Sequence, residues 1–239
     1  MAAFGKISAP SLKEICVQEI LSKILSGELK PGDRLPAERE LAEAMGISRS
    51  SVNHGIMELE NMGFLSITPR RGTIVNDYRT HPTPQSLAAV MRYSSAQMEQ
   101  SLFSDLMDTR LLIEVESARL ACHNIYDTTL AKMQKLVEEL AQEPEDPTEI
   151  LYRFHYLLTA ASGNSVYSMI YRGFETVLCT LIRQHYSMRS EDIKESAILH
   201  GQLLDAIIQK DERAAQELAG RILTQGITVL KGRYSQKSE

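Results

Sequence analysis

Between Leu12 and Leu25 the apolar residues Leu12, Ile15, Ile20, Ile24 and Leu25 recur at helical spacing, and Gly27 follows as a stop. That pattern predicts a first helix. KPGDRLP, residues 30–36, is a turn built on Pro31, Gly32 and Asp33, and Pro36 suits the first position of a second helix, ERELAEAM, ending at Gly46. Ser48 caps a third helix with Val52, Ile56, Leu59 and Met62 on one side, and Gly63 closes it. Phe64–Thr68 and Thr73–Val75 are short runs rich in β-branched residues. Pro69, Arg70, Arg71 and Gly72 separate them, which is a hairpin signal.

NDYRTHPTPQ, residues 76–85, has two prolines, several turn formers and no apolar period, so it reads as a linker. Beyond it no strand pattern occurs. Helical stretches are expected over Ser86–Tyr93, Met98–Asn124, Asp127–Gln142, Pro147–Ala161, Ser165–Met188, Ser190–Gln209 and Asp211–Lys231. Asp127 and Ser190 are cap types, and Asp146-Pro-Thr-Glu149 combines a cap, a proline in the first turn and a glutamate three residues after the cap. The predicted fold is therefore mainly α. An N-terminal winged helix-turn-helix of three helices and a β-hairpin covers residues 1–77, a linker 78–86, and an all-α antiparallel bundle of about seven helices 87–239.

Composition changes this picture little. A chain of 239 residues, 43% apolar and 24% charged, has room for two ordinary globular domains. No stretch resembles an export signal or an apolar membrane span, so a cytoplasmic protein with no membrane partner is expected. Cys16, Cys122 and Cys179 sit singly in helical patterns and fit buried thiols better than a disulfide frame or a zinc cage. The net charge of −5 is no nucleic-acid signature. Residues 1–77 themselves carry nine lysines and arginines against ten acids. Position matters more than the sum, because Arg39, Arg49, Arg70 and Arg71 can share one face.

Two helices joined through Gly46, with a capped second member and a hairpin behind, form the plan of a winged DNA-binding head. The helix tip at Ser48 fits a major groove, where the planar fork of Arg49 reaches guanine O6 and N7 while Ser48, Ser50, Ser51 and free amides meet phosphate. Arg39 lies where the preceding helix crosses the backbone. Arg70 and Arg71 at the hairpin tip, with Thr73 beside them, suit a minor groove or flanking phosphates. A protein-interaction module is the competing use of such a unit.

The run LKPGDRLPAERELAEAMGISRSSV, followed by LENMGFLSITPRRGTIV, resembles the DNA-binding domain of GntR-type bacterial transcription regulators over about residues 12–76. The resemblance implies DNA contacts by the arginines of ERE and SR, here Arg39 and Arg49. Where the family usually has Arg-Glu after the valine of the recognition helix, this chain has Asn53-His54. One arginine contact is missing, and Asn53 offers an adenine-reading amide instead.

In the bundle, DTRLLIEVESARLA (108–121), FHYLLTAASGNSVY (154–167) and HGQLLDAI (200–207) resemble the effector-binding and dimerisation domain of the FadR subfamily, often called FCD. Many members hold a divalent metal with one aspartate and three histidines. His155 and His200 match two of the histidines, but Leu151 stands at the aspartate position and Ile222 at the third histidine, so no ordered metal and no cofactor are expected. For the two histidines, ordinary core residues hydrogen-bonded to neighbours are the first reading and ligand contact the second. Leu151 and Ile222 make the cavity more apolar and favour an effector with a greasy part. Arg110 aligns with a subfamily arginine facing the pocket; it either pairs with a carboxylate or phosphate or forms an ion pair with Glu114 at i+4. Tyr152, Tyr156, Asn164 and Thr224 are weaker pocket candidates. His185 and Glu149 are not obviously aimed inward.

The resulting expectation is a ligand-responsive regulator, a repressor by preference. It binds a palindromic operator in double-stranded DNA as a homodimer and changes affinity when a small organic acid or acyl-CoA enters the bundle. A helical interaction module and a histidine-dependent enzyme are the alternatives. No HExxH, GxSxG or phosphate-loop motif supports an enzyme.

Overall fold

The computed structural model describes residues 10–94 and 100–235, with side chains over 10–90 and 101–231. Met98, the expected start of the first long bundle helix, lies outside the described residues. The chain divides into two compact units between Tyr93 and Ser94.

In the first unit α1 (Leu12–Leu25) opens with a reciprocal cap. Ser11 Oγ accepts from the Glu14 amide at 3.2 Å, and Glu14 Oε2 accepts from the Ser11 amide at 2.7 Å. Its buried stripe is Cys16, Val17, Ile20, Leu21 and Ile24, whereas Leu12 and Ile15 are 51% and 44% exposed. The inward face is thus rotated from the expected one, because Cys16 and Val17 pack against α3 (Arg49–Asn61) at Gly55. A Cβ on Gly55 would lie 3.1 Å from Cys16 Sγ, so the glycine permits the close crossing of the two helices. Between them α2 (Glu38–Met45) starts later than Pro36 suggested, with Ala37 as its cap and Gly46 ending it at φ 65°. Val52, Ile56, Leu59, Phe64 and Val75 complete this core.

The wing consists of β1 (Leu65–Thr68) and β2 (Gly72–Val75), antiparallel, with Leu65 opposite Val75 and Thr68 opposite Gly72. The turn before the second helix lies along the other edge of β2. Gly32 donates to the Val75 carbonyl, Val75 to Asp33 and Leu35 to Thr73, each at 2.9 Å. The stretch expected to be an open linker is largely bound to this unit. Asn76 donates to the Gly63 carbonyl at 3.1 Å, and the Thr83 hydroxyl donates to the Met62 carbonyl at 3.0 Å. Thr83 also caps α4 (Pro84–Ser94), accepting from the Ser86 amide at 2.9 Å. Helix α4, expected as the first member of the bundle, therefore belongs to the first unit, where Ala89 is buried in the core.

The second unit is all helical among the described residues: α5 (Gln100–Asn124), α6 (Asp127–Leu140), α7 (Thr148–Ala161), α8 (Ser165–Gly173), α9 (Glu175–Met188), α10 (Asp192–Ile208) and α11 (Glu212–Ser235). Helix α5 packs along α11 and α7, and α10 lies against α11 and α6. Ala118, Met133, Phe154, Leu158, Leu203, Ile207 and Ala215 form its main core. The single helix expected over Ser165–Met188 is two, because Gly173 weakens the backbone and the Phe174 amide bonds back to Tyr171 by a tighter i−3 step at 3.1 Å. Asp127 is the first helical residue and not the cap, and α10 begins at Asp192, after Ser190.

Candidate DNA-binding and effector-binding sites

At the tip of α3, Ser48 is in extended conformation and its Oγ accepts from the Ser51 amide at 3.1 Å; the two hydroxyls are 2.9 Å apart. Ser48 and Ser51 are thus committed largely to the cap. Arg49 and Ser50 remain exposed in the first turn, where backbone amides have no helical acceptor. No carboxylate among the described residues pairs with Arg49, Arg70 or Arg71. Arg39 is exposed on α2 with only a 3.7 Å approach to Glu43.

Asn53 is half-buried, and its Nδ2 donates to Glu38 Oε1 at 3.0 Å, so one amide hydrogen is committed to α2. At the wing tip Arg70 holds φ 64°, a left-handed conformation that costs an L-residue energy glycine does not spend. Strain of this kind concentrates where side chains are selected for function. Thr73 is half-buried, and its carbonyl serves the strand edge.

The second site is a cavity of about 690 Å³ inside the helical unit, lined from α5, α7, α9, α10 and α11. Met107, Leu151, Leu181, Ile182, Leu199 and Ile222 give it apolar walls. Arg110, His155, His200 and Thr224 line it as the sequence suggests, while Tyr152 and Asn164 do not. Tyr152 is buried and stacks on Tyr171 with ring centroids 5.6 Å apart. Asn164 caps α8, accepting from the Val166 amide at 3.0 Å. His185, which sequence reasoning leaves outside the site, belongs to it. This residue is 6% exposed, lines the cavity and sits 3.3 Å from Asp192 Oδ2. Its signal is the stripe Leu178, Leu181, Ile182, His185, which keeps helical period through an apolar face.

One polar chain runs through the buried end. Arg110 Nε lies 2.7 Å from Glu114 Oε1, so the i+4 ion pair is formed. Glu114 Oε2 lies 2.6 Å from His155 Nδ1, and His155 Nε2 lies 3.4 Å from His200 Nε2. His200 Nδ1 lies 2.7 Å from the Ser196 carbonyl. The Ser196 carbonyl only accepts, so His200 Nδ1 carries a hydrogen, and its Nε2 faces His155 Nε2.

Burial would raise the Glu114 carboxyl, but the Arg110 guanidinium and then the neighbouring His155 outweigh it and hold its pKa at about 2. Burial first, and the neighbouring His155 second, push His200 down to about 3, so it is neutral near pH 7. Burial lowers His185 as well, with Asp192 opposing. Tyr171, raised by burial and then by Glu114, stays a neutral phenol facing Arg110.

The metal held by many FCD domains does not fit this donor set. Leu151 and Ile222 offer no ligand atoms, and no group of three histidine, cysteine or acidic side chains is placed to hold an ion among the described residues. Of the family's four donor positions, only His155 and His200 carry a ligand atom here.

Comparison with known proteins matches both parts of the chain to known families. Residues 12–75 match the bacterial regulatory proteins of the gntR family, and residues 105–225 match the FCD domain. The transcriptional regulator LutR of Bacillus subtilis is 27% identical over 164 residues, covering 67% of this chain and 73% of that protein. The fatty acid metabolism regulator protein of Erwinia tasmaniensis is 29% identical over 208 residues, covering 85% and 84%. The solved structure of Lar, which controls expression of the Listeria monocytogenes agr system, aligns with a TM-score of 0.65 at 19% identity, covering 95% of this chain and 99% of that one. That likeness speaks to fold alone. The chain belongs to the gntR family of bacterial regulatory proteins, in the group carrying an FCD domain, and is a transcriptional regulator of that type.

Proposed function

We propose that this regulator is a cytoplasmic homodimer that represses its target by binding a palindromic operator, and that a small organic acid or an acyl-CoA entering the helical unit changes its affinity for DNA. DNA reading is assigned to Arg49 and Ser50 at the helix tip, with Arg39, Ser48, Ser51 and Asn53 around them and Arg70, Arg71 and Thr73 in the wing. Effector binding is assigned to Arg110, His155 and His200, with Thr224 at the wall; Tyr152 and Asn164 act from outside the cavity.

The observation that carries the reading is the buried chain Arg110–Glu114–His155–His200 at a cavity of about 690 Å³ whose lining also includes the apolar Met107, Leu151, Leu181, Leu199 and Ile222 and the charged Arg189, Asp192 and Arg221. Such a volume, with polar and apolar side chains both lining it, is that of a ligand site. The polar end suits an acidic or hydrogen-bonding head group and the apolar walls suit a hydrocarbon part. The effector is held without a resident metal, since the donor set is too small for one. Coupling of a few kcal/mol between effector and DNA is sufficient for regulation.

The test is a mobility shift of the full chain on the promoter fragment upstream of its own gene, with long-chain acyl-CoA or lactate added. Native mass spectrometry of the same sample reports subunit count and any retained metal. Release of DNA by one additive, from a metal-free dimer, is expected. DNA binding indifferent to both, or one retained metal ion per chain, overturns the effector assignment.

A further inference from the structure

Arg34, in the turn between α1 and α2, is exposed and forms a bridge with Ile74 of β2. The flanking bonds Val75 to Asp33 and Leu35 to Thr73, both 2.9 Å, hold the segment against the outer edge of the two-stranded wing. Its guanidinium rests on Gly72. A Cβ built there would lie 2.8 Å from Nε and 3.0 Å from Nη2 of Arg34, so the bare α-carbon is what lets the planar group lie against the wing. Arg70 and Arg71 occupy the adjoining turn. No carboxylate among the described residues pairs with any of the three. The adjacent acid, Asp33, turns its Oδ2 to the Lys30 amide at 2.8 Å. In a chain of net charge −5, three unopposed arginines gathered on one wing are a built anionic docking point.

We infer that Arg34 is a third phosphate-binding arginine of the wing, held flat by Gly72 so that it meets the DNA backbone beside Arg70 and Arg71. The inference rests on the DNA-binding reading above and deepens it. A guanidinium pinned before binding loses less freedom on meeting phosphate than a free side chain. Because it meets phosphate and not base edges, Arg34 sets register and adds affinity without reading sequence.

The test uses the full chain and two labelled duplexes, one from the promoter upstream of its own gene and one shuffled to the same composition, titrated by fluorescence anisotropy across a salt series. Arg34→Gln is expected to weaken both duplexes by the same factor and to flatten the plot of log K against log salt by about 0.9 for each phosphate left without its cation. Arg34→Lys is expected to restore the slope, and both variants to melt with the wild type. An unchanged slope with Arg34→Gln overturns the inference, as does weakening confined to the promoter duplex, which would mark a base contact. Failure of the wild type to bind either duplex removes the DNA-binding reading itself, an outcome distinct from a variant that binds with wild-type slope.

Discussion

Glu114 on α5 and His155 on α7 meet at 2.6 Å through Oε2 and Nδ1, with the carboxylate fully enclosed and its other oxygen on Arg110. The carboxylate is therefore the centre of the buried chain, and removing it leaves the Arg110 charge uncompensated. Glu114→Gln is expected to cost about 3–5 kcal/mol of stability in urea unfolding. A loss under about 1 kcal/mol would mean that water reaches the pair and that it behaves as a surface bridge.

The same chain makes the helical unit sensitive to acid. Unfolded, His200 takes up a proton near pH 6.5; folded, it refuses one until about pH 3. Its contribution is thus fully present above pH 6.5 and is lost as the pH falls toward 3. Glu114 adds to the loss below pH 4.5, since its folded value is about 2. Urea midpoints should fall between pH 6.5 and 4.5, and His200→Gln should flatten that part of the profile. A wild-type profile flat over this window would show that His200 is not held neutral by burial.

At the wing, stability and binding should move in opposite directions. Arg70 sits at φ 64°, so Arg70→Gly relieves about 1 kcal/mol of backbone strain and raises the melting temperature of the first unit. The same variant loses a cation and should bind promoter DNA more weakly with a shallower salt dependence. A variant that melts lower than the wild type contradicts the strained conformation.

Arg49→Ala is expected to cost about 1–3 kcal/mol on the promoter duplex and much less on shuffled DNA, because a bidentate contact to a base edge is what it removes. Anisotropy on the two duplexes measures the difference. Equal losses on both would assign Arg49 to phosphate and not to base reading.

Gly55→Val tests the crossing of α1 and α3. The added Cβ falls 3.1 Å from Cys16 Sγ, and a branched side chain cannot retreat along the helix. Overpacking of about 1–3 kcal/mol is expected, read as a lower unfolding midpoint of the first unit.

The winged head is legible in the sequence because its instructions are local. Ser48, Gly46 and Gly63 each specify one cap or stop within a turn of themselves, and the structure uses all three. The face of α1 is not decided by its own pattern, since Leu12 and Ile15 match the helical period as well as Cys16 and Val17 do; it is Cys16 and Val17 that pack on α3, where Gly55 leaves room for them. The break at Phe174 carries no proline, and Gly173 alone is a weak stop. In the bundle, the Arg110–Glu114 pair is visible as an i+4 spacing. The contact of Glu114 with His155 joins different helices, so no periodicity can report it. His185 is easily discounted as a polar residue, although its apolar stripe points to the interior.

The Thr83 hydroxyl donates to the Met62 carbonyl and so fastens the first residues of α4 to the end of α3. The same hydroxyl accepts from the Ser86 amide, so one side chain both caps α4 and joins its start to the end of α3. Helices α3 and α4 are therefore held to each other within the first unit by a side chain that belongs to neither helix. Thr83→Val removes the cap and the bond to Met62 together and should destabilise the first unit by about 1 kcal/mol.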